Sequence, residues 1–189
     1  MKRENNYEVV ISGVGGLFPK CENIEVFMQK LLNNENLMSS RWKADQTGAT
    51  TNVIGAIPHA EHFDASYFGI HREQCKFMDP MQRMVLERCY EAITDAGVNP
   101  VDIKGRKIGV YTGSTVGEND NVFYESIVSG FGLTVLQAAF ETVGTGQSEA
   151  AIVVTTNLAL NWEVSLHYNS LGLLSPDGIT KPFDANGKY

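Results

Sequence analysis

DPMQRMVLERCYEAITDAG (residues 79–97) reads as one complete helix with both ends marked. Asp79 is a good N-cap, and Pro80 is pre-set for the first helical position, where no N–H is needed. Met81, Met84, Val85, Cys89, Ile93 and Ala96 recur at helical spacing and form an apolar stripe. Gly97 stands where a C-terminal glycine belongs. Downstream, KIGVYTG (107–113) predicts a strand, and AAIVVTTNL (150–158) is a near-continuous apolar run. Such a run marks a central strand covered on both faces. Between them one short amphipathic helix is expected over 134–143, with Val135, Leu136, Ala139, Phe140 and Val143 inward and Gly144 as its stop. This helix is expected to connect the two strands, crossing a strand at 9–13, a crossover that can be right-handed.

Upstream, Val9, Val10 and Ile11 begin a β-branched run that breaks at Gly13, Gly15 and Gly16. This predicts a buried strand ending in a tight turn. A helix capped by Asn23 follows, with Ile24, Phe27, Met28, Leu31 and Leu32 on one face. Residues 33–62 are polar and irregular and read as a surface loop, with one short strand around Val53–Ile57. Ser175-Pro176-Asp177-Gly178 is a turn with proline and glycine at their favoured places. Alternating strands and helices give an α/β layered domain with a mostly parallel sheet.

The chain has 189 residues, 43% of them apolar and 20% charged, with a net charge of −7. That is ordinary globular composition for one domain or a large part of one. Lys and Arg are scattered singly, so a basic nucleic-acid-binding face is not expected. No apolar run approaches the ~20 residues needed to cross a bilayer. The opening MKRENNYEVV lacks the apolar core of a signal peptide. The expectation is a cytoplasmic protein with no membrane partner. Cys21, Cys75 and Cys89 are an odd number without CxxC spacing, which fits free thiols.

The candidate chemistry is thin. Gly13 and Gly15 open a GxG pair, but Phe18 stands where a dinucleotide fingerprint needs its third glycine. A close-packed turn is the expectation. His59, Glu61, His62 and Asp64 are metal-ligand types, yet no Cys or His cluster completes a site, so a solvated loop is expected and no metal. His71 and His167 stand alone. None of the cysteines has an obvious base beside it, and Cys89 lies on the apolar stripe, where burial would raise its pKa.

Five segments carry a resemblance. They are VVISGVGGLFP (9–19), FDASYFGIHREQCKFMDPMQR (63–83), VLERCYEAITDAGVNP (85–100), GVYTGS (109–114) and LGLLSPDGITKPFDANGKY (171–189). In this order they resemble the β-ketoacyl synthase family, and they cover most of the chain. The wording YEAITDAGVNP is closer to animal-type, insect-like fatty acid synthases than to modular polyketide synthases, the nearest alternative. The resemblance implies a thiolase-like fold. It implies condensation of an acyl thioester, held on a cysteine, with malonyl groups arriving on the phosphopantetheine of acyl carrier protein. It also implies a homodimer and no cofactor bound directly.

In one place the pattern breaks. Phe131-Gly132-Leu133-Thr134 runs straight into Val135-Leu136-Gln137-Ala138-Ala139, which resembles the back half of the family's nucleophile helix. The family's intervening helix, strand and DTACSSS-like turn have no counterpart after about residue 134. The chain ends at Tyr189, before the half that would carry two histidines and a lysine. The expectation is therefore an incomplete N-terminal half, residues 1–189, with an internal block missing and no catalytic, cofactor-binding or metal residue. Asp79, Pro80, Gln82 and Arg83 match a family motif, and their expected roles are capping and packing. A non-catalytic product that pairs with a full synthase is the second expectation.

Overall fold

The computed structural model describes residues 8–40, 53–114, 131–158 and 162–175, with 178, 179, 181, 184 and 185 near the C-terminus. The elements run α1 (Ile24–Leu32), β1 (Ser39–Ser40), β2 (Val53–Ile54), α2 (Arg72–Phe77), α3 (Pro80–Asp95), a 3-10 turn (Pro100–Ile103), β3 (Ile108–Ser114), α4 (Phe131–Gly144), β4 (Ala150–Thr156) and α5 (Trp162–Ser170). They fall into two compact units. One holds residues 1–16 and 60–158, the other 17–59 and 159–189.

The first unit contains the parallel sheet. β3 and β4 pair in parallel over seven residues, from Ile108 opposite Ala150 to Ser114 opposite Thr156. The sequence predicted both strands and the helix between them. α4 packs on both strands, and α3 contacts β4. The phenol of Tyr111 donates to the Thr142 hydroxyl at 2.6 Å, and that hydroxyl donates to the Ala138 carbonyl, tying β3 to α4. The Glu149 amide donates to the Lys107 carbonyl, and the Arg106 guanidinium meets the Glu149 carboxylate at 2.9 Å. Being exposed, that ion pair adds at most about 1 kcal/mol.

α3 begins and ends as its sequence demands. The Asp79 carboxylate accepts the Met81 amide at 2.7 Å, Pro80 opens the helix, and Gly97 follows it at φ +71°. Of its stripe, Met81 and Met84 are buried, and Val85, Cys89, Ile93 and Ala96 are half-buried.

Three expectations are corrected here. Residues 8–17 form no strand, and Val10 and Ile11 are exposed at 69% and 75%. The segment is instead clamped along α3, with the Val14 amide donating to Asp95 at 2.9 Å. The crossover does not pass over a strand at 9–13, because β3 and β4 are direct neighbours. On α4, Leu136 and Phe140 face outward, exposed at 42% and 57%, while Ala139 is buried with Val135, Ala138, Thr142 and Val143 beside it. A Cβ on Gly132 would lie 3.5 Å from the Thr155 methyl, an ordinary contact between α4 and β4.

In the second unit Asn23 caps α1 as expected, its side chain accepting the Val26 amide at 2.8 Å. Phe18 and Phe27 stack with ring centres 4.1 Å apart. Cys21 is fully buried, and Pro19 packs on the open face of Gly55. Met28, Leu31 and Leu32 are exposed, so the apolar face of α1 is only partly covered. β2 is shorter than the expected Val53–Ile57 strand and pairs antiparallel with β1, which the sequence did not announce. α2 and α5 were likewise not foreseen. The Gly178 amide donates to the Ser175 carbonyl at 3.0 Å, closing the expected turn, whose Pro176 and Asp177 lie outside the described residues.

Candidate functional site

Asp79, Pro80, Gln82 and Arg83 lie around the start of α3. Asp79 is 8% exposed and spends a carboxylate oxygen on the Met81 amide. Gln82 is exposed. Arg83 is half-buried, and its enclosed Nε has no hydrogen-bond partner among the described residues. The Ser114 hydroxyl donates to the Met81 sulfur at 3.9 Å, so the start of α3 lies against the end of β3. Asp79 and Pro80 thus build the start of α3.

The glycine turn is a packing device. A Cβ on Gly13 would lie 2.2 Å from the Ala92 carbonyl oxygen, and one on Gly15 would lie 2.8 Å from that of Arg88. Both glycines let the chain lie on α3 itself. The Val14 amide, which a phosphate would need, already holds the Asp95 carboxylate. A second anion there would face that negative charge.

None of the three cysteines sits at a helix N-terminus. Cys21 is enclosed, its thiol donating to the Pro19 carbonyl at 3.1 Å. Cys75 is the fourth residue of the six-residue α2. Cys89 is in the middle of α3, and burial pushes its thiol pKa up, disfavouring the thiolate that a nucleophile needs.

The histidines and their acidic neighbours are surface groups. His71 caps α2, its Nδ1 accepting the Glu73 amide. His59 Nε2 lies 4.0 Å from Glu22, and His62 Nε2 lies 3.8 Å from Glu61. Asp64 accepts the Ser66 hydroxyl at 2.6 Å and the Tyr67 amide at 3.0 Å, bonds that hold its carboxyl below the usual carboxylate range. The side chain of His167 lies outside the described residues.

The family model for the N-terminal domain of β-ketoacyl synthases matches residues 6–127 and 129–188. The chain belongs to the β-ketoacyl synthase family. A goose fatty acid synthase is 33% identical over 218 aligned positions, covering 95% of this chain and 62% of the goose sequence. Polyketide synthase PksM of Bacillus subtilis is 27% identical and covers 95% of this chain but only 6% of its own length is matched. Among solved structures, a cysteine-to-serine mutant of the ketosynthase from module 6 of the Bacillus subtilis bacillaene synthase superposes with a TM-score of 0.83. It is 26% identical, and the match covers 93% of this chain and 37% of that one. The oxazolomycin ketosynthase domain KS7 of Streptomyces albus gives 0.81 at 20% identity, which speaks for the fold alone. The thiolase-like fold expected from the motifs is therefore the fold of this chain, which spans under two thirds of the goose sequence and about a third of the ketosynthases.

The β-ketoacyl synthase match carries a further measurement. The 218 positions aligned with the goose enzyme cover about 180 residues here, so roughly 40 positions have no residue in this chain. The family-model match is itself interrupted between residues 127 and 129. No helix among the described residues is long and apolar enough to cross a membrane.

Proposed function

We propose that this chain is an N-terminal piece of the ketosynthase of an animal-type fatty acid synthase, lacking an internal block after about residue 134 and inactive in condensation by itself. The observation that carries the reading is the deficit of roughly 40 aligned positions against the goose enzyme, together with a family match that breaks at residue 128. The block would hold the nucleophile turn, and none of Cys21, Cys75 and Cys89 replaces it: each is enclosed, mid-helix or far from a helix N-terminus. The 33% identity to a fatty acid synthase, against 25–28% for the polyketide synthases matched over a similar share of the chain, favours the fatty acid assignment. The parent enzyme would take acyl and malonyl groups from the phosphopantetheine of acyl carrier protein, pair with a second synthase subunit, and act in cytoplasmic lipid synthesis.

The test has two arms. Purified chain, given acyl and malonyl carrier substrates, is expected to form no condensation product above a no-protein control, since removal of a catalytic nucleophile costs orders of magnitude. Turnover above that control overturns the proposal. Sequencing the transcript and the gene across codons 120–140 is expected to uncover a skipped coding segment of about 40 codons containing a cysteine turn. A contiguous gene with no such segment would favour a second reading, a non-catalytic product that pairs with a synthase.

A further inference from the structure

We draw no further inference here: the strongest candidate, the exposed apolar stripe of Leu133, Leu136 and Phe140 on the outer face of α4, is an unpartnered helix face, and nothing in the structure shows what covers it.

Discussion

Single atoms decide the glycine positions, and two alanine substitutions should have opposite signs. Gly13→Ala places a methyl 2.2 Å from a backbone oxygen of α3, which cannot swing aside. It is expected to cost about 1–3 kcal/mol, as overpacking does. Gly132→Ala puts its methyl 3.5 Å from the Thr155 side chain, an ordinary contact inside a helix. It should stabilise by roughly 0.5–1 kcal/mol, the helix penalty of glycine. Urea unfolding of the two variants checks the pair, and a neutral Gly13→Ala would contradict the clamp. At Cys89 burial raises the thiol's pKa, so its ionised form gains only at a pH above that of an unhindered cysteine. Alkylation followed by mass spectrometry across pH 7–10 should show the Cys89 profile displaced to the alkaline side of a cysteine-containing peptide. A coincident profile would contradict the effect of burial, and a more acidic one would mark Cys89 as activated.

Elements differ in how openly their sequences announce them. α3 was legible because its cap, first-turn proline, stripe and closing glycine agree, and each does in the structure what it signals. The β-branched run at 9–11 gave a strong strand signal that the backbone does not follow. Close approach of Gly13 and Gly15 to α3 commits the segment to a helix surface, and the Val14 amide goes to a carboxylate. Tertiary contact overrode propensity there. α2 (REQCKF) has no apolar period, its residues being exposed except for Cys75, so nothing in its sequence could reveal it. The family reading was legible through the motifs, while the surroundings of the three thiols needed the structure. On α4 the sequence placed Val135, Ala139 and Val143 on the covered side but misplaced Leu136 and Phe140. Ala139, 3% exposed, is the contact residue, and Phe140 points away. Ala139→Leu is expected to cost about 1–3 kcal/mol by overpacking, whereas Phe140→Gln should stay within ~0.5 kcal/mol, as surface changes do. Thermal melts of both distinguish this facing from its reverse, in which Phe140→Gln would be the damaging change.

At the scale of the whole molecule, burial is sparse among the described residues. Among the described residues the buried apolar set is Cys21, Ile54, Met81, Met84, Ala139 and Leu158, while many large apolar residues remain exposed. An intact domain is stable by only about 5–15 kcal/mol, and the denaturant slope scales with the surface that unfolding exposes. This chain should therefore unfold in urea with a shallow slope, below the ~1–3 kcal/mol/M of small globular proteins. Size-exclusion chromatography should find part of it associated through its exposed apolar surface. A steep, single transition from a monomer would contradict this expectation.

The parallel ladder also sets an order of events at the ribosome. β3 is complete when Ser114 emerges, but its partner in the ladder is complete only at Thr156. At ~5–20 residues per second, translation of the intervening stretch takes roughly 2–8 seconds. During that wait α3 is already made, and its Met81 can meet Ser114 at the end of the waiting strand. The backbone groups of β3 that will face β4 have no such early cover. That interval is when a nascent-chain chaperone would find the strand, and slowing elongation over codons 115–149 would lengthen its exposure in proportion.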